Sequence, residues 1–358
     1  MSDLLQRSVE ITLSNQHASG AYLASPNFPT YHYCWFRDGA YTAYAMDLIG
    51  EHDSAARFHA WAAGVILPRA ELVKRAVARV NRGEVLTGED WLHTRYTLDG
   101  QPSNEDWPNF QLDGFGTWLW ALTEHYRLVG KPAPPHILVA ARLAAEYLTA
   151  LWRYPCFDCW EEFPDHVHLY TLAAIYGGLK SFTALSGMEN SGVLKEIKAF
   201  ILEKGVQNGH ITKFVGSRDV DANLVGLAVP YEVLDAAHPL IRATILKIEH
   251  DLRREGGGVH RYPQDTYYGG GEWVLLTAWL GWYYARVGEG ERAQALLHWV
   301  EAQADEAGRL PEQVPARLHD PLLYESWRQR WGEIARPLLW SHAKYIILRH
   351  HLRERDRN

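Results

Sequence analysis

Through most of this chain apolar residues return every three to four positions, and almost nowhere do they alternate. That period lines them along one stripe of an α-helix, whereas a half-buried strand needs a period of two, so the chain must fold as helices that bury their stripes against one another. The pattern covers 53–80, 112–129, 135–152, 166–187, 237–255, 272–286, 289–304 and 337–352, with Pro68 marking an irregularity in the first. Shorter candidates lie at 2–14, 38–49, 190–205 and 221–227. The joins differ in kind. Some are short, as after Val287, while 16–37, 82–111, 154–165, 256–271 and 305–336 are long and rich in Gly, Pro, Trp and Tyr. If the helices pair as antiparallel hairpins, short joins fall at one end and long ones at the other. About six such pairs in a ring make an all-α (α/α)6 barrel with its long loops at one mouth. Neither a fixed-length repeat nor a linker interrupts the sequence, so one domain over 1–358 is favoured over a helical solenoid.

Several function classes are disfavoured. A formal net charge of −7 without a run of Lys and Arg argues against a nucleic-acid or anionic-membrane surface. The opening MSDLLQRSVE has charges where a signal peptide needs an apolar core, and WVLLTAWLGWYYA is too short to span a bilayer. The expected location is the cytoplasm. Cys34, Cys156 and Cys159 are too few for a disulfide framework, and the CFDC spacing lacks a second pair for zinc, so buried thiols are expected. His166 and His168 follow no metal-ligand pattern, and no metal or cofactor is expected. The GGG of 269–271 reads as a close-approach turn rather than a phosphate cradle, and His342 as a core histidine.

The long joins share a chemistry. Tyr31, Tyr33, Trp35, Trp91, Tyr96, Trp107, Trp160, Tyr262, Tyr267, Tyr268, Trp327 and Trp331 all fall in them, together with Arg37, Glu161, Glu162, Arg261, Asp265 and Glu312. Aromatic faces stack on the C–H faces of sugars while carboxylates and guanidinium groups take the hydroxyls, so the set points to a carbohydrate pocket.

YHYCWFRDGAYTAYAM (31–46), DWPNFQLDGFGTWLWAL (106–122), FDCWEE (157–162), RYPQDTYYGGGEW (261–273), GRLPEQV (308–314) and PLLWSHAKY (337–345) resemble the successive signature blocks of glycoside hydrolase family 15, the glucoamylase family, in that family's order. The resemblance covers the chain from about Ser8 onward. It implies an (α/α)6 barrel and an inverting hydrolase that releases β-D-glucose from the non-reducing ends of α-glucosides. Carried over by motif, it makes Glu161 the general acid and Glu312 the general base. Glu162 and Arg261 then meet the leaving sugar, Arg37 and Asp38 grip the terminal glucose with Tyr31 and Trp35 beside them, Trp107 flanks the acid, and Trp340 lies near the base. Gln264 and Asn109 depart from the family pattern, which suggests altered outer subsites. No starch-binding module or N-terminal sandwich is evident. Short α-gluco-oligosaccharides are therefore the expected partners, with isomaltose-type α-1,6 linkages favoured over α-1,4. A family-15 trehalase and a non-catalytic sugar-sensing domain remain the alternatives.

The chemistry needs such a pair. Inversion requires a protonated carboxyl at the glycosidic oxygen and an ionised one activating water on the opposite ring face, about 6.5–9.5 Å away. Burial against Trp160 and the neighbouring charge of Glu162 are expected to keep Glu161 protonated.

Overall fold

The structure is a computed structural model that describes residues 3–103 and 105–355. Among these residues the α-helices, in chain order, are α1 (Asp3–Ser14), α2 (Phe36–Leu48), α3 (His52–Ile66), α4 (Ala70–Asn81), α5 (Asp113–Val129), α6 (Pro135–Leu151) and α7 (Leu169–Ser186). They continue as α8 (Ser191–Lys204), α9 (Pro239–Leu252), α10 (Val274–Arg286), α11 (Gly290–Glu301), α12 (Pro321–Trp331) and α13 (Leu339–Arg355). An inner ring runs α2, α5, α7, a 3-10 segment at Ala222–Leu227, α10 and α13, each packed on the next, with α13 returning to α2. Around it pack α1, the α3–α4 pair, α6, α8, α9 and α11. This is the (α/α)6 architecture.

Composition sorts the two rings. Every residue of α10 from Val274 to Ala285 is buried, and a helix that is apolar all round belongs inside. By contrast α11 buries the single stripe Ala293, Leu296, Leu297 and Val300. In the inner ring α5 and α7 approach closely: a Cβ on Gly116 would lie 2.3 Å from the Ala174 carbonyl oxygen and one on Gly178 2.3 Å from that of Gly116. Only glycine lets these two backbones meet. Among the described residues, no helix is long and apolar enough to cross a membrane.

Three segments differ from the sequence expectation. At Pro68 the irregularity is a 3-10 turn, Leu67–Arg69, that divides 53–80 into α3 and α4. The candidate helix at 221–227 is a 3-10 segment, capped by Asp221 and followed by Pro230, so it stays short. The supposed loop 305–336 contains α12, which Asp320 caps by accepting from Leu322 N.

Chain direction places the site. Most joins leaving an inner helix are short (49–51, 130–134, 187–190, 287–289), whereas those entering one are long (15–35, 82–112, 152–168, 205–221, 253–273, 302–338). Inner helices therefore point their N-termini at the long-loop mouth.

Candidate active site

A cavity of about 440 Å³ opens at that mouth, within the range of roughly 300–1,000 Å³ usual for small-ligand sites. The ten residues marked by the family resemblance all line it: Tyr31, Trp35, Arg37, Asp38, Trp107, Glu161, Glu162, Arg261, Glu312 and Trp340. Of the wider set expected to form the pocket, Trp160, Tyr267, Trp327 and Trp331 line it too, whereas Tyr33, Trp91, Tyr96, Tyr262, Tyr268 and Asp265 do not.

Glu161 sits on a turn built by Asp158. The Asp158 carboxylate accepts from the backbone N–H groups of Trp160 and Glu162, each at 2.9 Å, which closes the turn and puts Glu161 at φ 70°. Such a left-handed conformation is rare for a non-glycine residue and persists only where its surroundings hold it. Here they do: buried Lys213 lies 3.0 Å from Asp158 and 2.6 Å from Asp221, and Asp221 also accepts from the Trp160 indole at 2.9 Å.

The Glu161 side chain meets donors only. Its Oε1 accepts from the indole N–H groups of Trp35 and Trp107, both at 2.8 Å, and from Gln111 Nε2 at 3.4 Å. An indole nitrogen cannot accept a proton, so in the neutral acid Oε1 is the carbonyl oxygen and the proton sits on Oε2. Burial raises this carboxyl above the usual glutamate value, against the opposing pull of Trp107 and Trp35. Burial raises Glu161 as expected, whereas the charge of Glu162 is not among the main causes. Trp160 spends its N–H on Asp221, and Glu162 takes separate partners, Tyr262 at 2.6 Å and Arg261 at 3.5 Å.

Glu312 is held from both sides by backbone. Its N–H donates to Ala335 O at 2.9 Å and its carbonyl accepts from Val274 N at 3.2 Å, while the next residues, Gln313–Val314, pair antiparallel with Glu272–Trp273. The start of α13 fixes the residues before it: Ser341 donates to Pro311 O at 2.8 Å, and His342 Nε2 accepts from Leu310 N at 3.1 Å. Burial holds His342 down to about 3, so it stays neutral and Nε2 remains an acceptor. The Glu312 carboxylate accepts one hydrogen bond at Oε1, from Tyr31 OH at 3.0 Å, while Oε2 is buried with no hydrogen-bond partner among the described residues. Burial pushes its carboxyl up to about 8, although Tyr31 and Arg261 favour the charged form.

Arg37 and Asp38 occupy the first turn of α2. The buried Arg37 guanidinium lies 3.2 Å from Asp38 and 3.2 Å from Asp113, and stacks over Trp340 at 4.9 Å. Burial raises Asp38 to about 6 against the pull of Arg37. Facing them, Arg261 is locked to Asp265 and lies over the rings of Trp160 and Trp273.

Comparison with known proteins agrees with this geometry. The model of glycosyl hydrolases family 15 matches residues 1–350. The chain belongs to that family. As a glycoside hydrolase it is similar to an isomaltose glucohydrolase from Kribbella flavida, 39% identical over 97% of this chain and 92% of the relative. A glycosidase variant solved in complex with glucose is 38% identical, with a TM-score of 0.94 over 98% of this chain and 96% of that one. A bacterial glucoamylase complexed with acarbose, 20% identical, shares the fold at a TM-score of 0.78 over 98% of this chain and 55% of that one.

The family's blocks left some residues unmarked. Arg95 is fully buried, stacked 3.6 Å from the Trp107 ring centre and 5.2 Å from that of Trp35, the two indoles that hold Glu161. It arrives there because Arg95–Tyr96 pairs antiparallel with Cys34–Trp35. Its signal was only a lone arginine in an aromatic loop. Arg330 reaches the cavity with Trp327 and Trp331 because they lie on α12. Conversely, neither Gln264 nor Asn109 lines the cavity: Gln264 is exposed and donates to Asp219, and Asn109 is buried elsewhere. Neither therefore touches the sugar-sized cavity itself. The three cysteines are free and buried, as expected.

Proposed function

We propose that this chain is a single catalytic domain that hydrolyses short α-gluco-oligosaccharides from the non-reducing end with inversion, preferring isomaltose-type α-1,6 linkages, in the cytoplasm. The observation that carries the reading is the pairing of two differently held glutamates in one cavity. Glu161, met by N–H donors at one oxygen, offers an acidic proton on the other; Glu312 keeps a buried oxygen free for a water. Arg37 and Asp38 hold the terminal glucose at the cavity floor, with Tyr31, Trp35 and Trp340 around it. Glu162, steadied by Tyr262 and Arg261, holds the leaving sugar.

Protonation has to be distributed in the right order. Burial lifts both carboxyls, and each charge disfavours the other, so they titrate as a coupled pair. The productive state has the proton on Glu161 and the charge on Glu312. Substrate favours that state: the glycosidic oxygen accepts from Glu161 Oε2, and a water donating to Glu312 Oε2 supplies the second hydrogen bond its anion lacks. Proton donation and water attack then proceed on opposite faces of the ring.

The preference for isomaltose is supported by the 39% identical relative of that name, and the glucose found in a similar structure fits a terminal glucose site whatever the linkage. Glucose release from isomaltose, panose, maltose, trehalose and soluble starch tests it. A tenfold or greater preference for maltose, starch or trehalose would overturn the linkage assignment, and α-glucose as the first NMR-detected product would overturn inversion.

A further inference from the structure

Away from the cavity, the barrel buries a second cluster of chemically competent side chains. Asp47 stands in the last turn of α2, nine residues beyond Asp38, which places it roughly 14 Å along that helix toward the opposite end of the barrel. His59 comes from the middle of α3 and His125 from the latter half of α5. All three are buried, with at most 3% of each residue exposed. The His125 Nδ1 lies 3.0 Å from both Asp47 oxygens, and the half-exposed His52 places Nδ1 2.8 Å from Asp47 Oδ1. One ligand atom from each of Asp47, His59 and His125 falls within 4.8 Å of the others.

His59 is the member that hydrogen bonding leaves unexplained. Its ring centre is 5.1 Å from that of His125, yet neither of its nitrogens has a hydrogen-bond partner among the described residues. A neutral imidazole carries both a donor and an acceptor, and burying both unmet is costly unless something occupies the space between the rings. Two imidazoles and a carboxylate form the donor set of Zn²⁺ and its first-row neighbours.

We propose that Asp47, His59 and His125 form a binding site for one divalent transition-metal ion, Zn²⁺ or a close relative, with His52 or a water as the remaining ligand. Metal–ligand bonds of about 2.0–2.2 Å put neighbouring ligand atoms about 3.3–3.5 Å apart, so the side chains close by about an ångström on the ion. The helix ends assist, because Asp47 stands where the carbonyl end of α2 favours positive charge. The site clips two neighbouring inner helices, α2 and α5, to the outer helix α3, which makes its role structural and separates it from the glycosidic chemistry.

Metal-stripped protein titrated with Co²⁺ and with Zn²⁺ tests the proposal. The expected result is one equivalent bound, a visible d–d absorption with Co²⁺, and a raised melting temperature with Zn²⁺. In His59→Leu, affinity falls by roughly 100-fold or more and the melting shift disappears, while glucosidase kinetics stay unchanged. Absence of stoichiometric binding, or undiminished binding in His59→Leu, overturns it. Should that variant fail to fold, anomalous diffraction at the zinc edge from soaked wild-type crystals decides: a peak between Asp47, His59 and His125 supports the site, and its absence excludes it.

Discussion

Removing the Tyr31 hydroxyl separates a role in proton distribution from one in packing or binding. In Tyr31→Phe the ring contacts with Phe28 and Trp35, at centroid distances of 4.6 and 5.6 Å, are kept, while Glu312 loses its hydrogen bond of 3.0 Å. A hydrogen bond to a charged group stabilises by about 1.5–3 kcal/mol and one to a neutral group by about 0.5–1.5 kcal/mol, so the anion is selectively destabilised by about 1–1.5 kcal/mol. At about 1.4 kcal/mol per pH unit, the Glu312 proton affinity rises about tenfold above its already raised value near 8. The sign of the effect on rate follows from populations. Relative to the doubly protonated site, the productive form depends on how readily Glu312 ionises, so on the acid side kcat/KM falls about tenfold. Relative to the doubly ionised site it depends only on Glu161, so on the alkaline side kcat/KM converges with that of the parent. Full pH profiles of both proteins on isomaltose, or on whichever substrate proves best, provide the assay. A loss uniform across pH would mean that Tyr31 acts through sugar binding or packing alone, and an unchanged profile would remove it from the mechanism.

Glu161→Gln and Glu312→Gln should each lower kcat by about 10²–10⁴-fold with the fold intact by circular dichroism, whereas Glu162→Gln should mainly raise KM for the disaccharide. Asp38→Asn should lower kcat together with kcat/KM, since contacts to the hydroxyls farthest from the scissile bond tighten in the transition state; a rise in KM alone would make the contact uniform binding. Lys213→Met leaves Asp158 and Asp221 buried without their cation, and denaturant unfolding should show a loss of about 3–5 kcal/mol together with reduced turnover. Unchanged stability in that variant would refute the account of how the Glu161 turn is held.

Legibility in the sequence tracked how local each cause is. Helical period is local, so most helices and the alternation of long and short joins could be read directly. The 3-10 segment at Ala222–Leu227 could not, because its apolar spacing fits either helix type and its short length follows from Pro230 and from packing against Tyr170. The helix α12 escaped because none of its residues is fully buried and its one stripe, Tyr324, Trp327 and Trp331, is short and aromatic, so it reads like the aromatic loops around it; an N-cap aspartate followed by proline was its clearest mark. Motifs located every named residue of the site and set Trp107 beside Glu161, but they did not give Trp35 as its second donor. Burial beside the adjacent Trp160 could be read from sequence, but the two indole donors to Glu161, Trp35 and Trp107, come from 126 and 54 positions away. Arg95 and Lys213 act through neighbours that only the folded ring supplies.

The serine on α1 has a consequence for how this molecule comes into being. Ser8 meets His342 Nδ1 at 2.9 Å, and the other nitrogen of that ring takes the Leu310 amide two residues ahead of Glu312. A helix near the start of the sequence thus steadies Glu312, the proposed base, but only through one near its end. A growing chain can assemble Trp35, Trp107 and the Glu161 turn while Glu312 is still unmade, and it stays inert until α13 docks between α1 and α2. Contacts spanning more than 300 residues form slowly, so gain of activity during refolding should lag behind gain of helix. Circular dichroism followed alongside glucose release would display that delay.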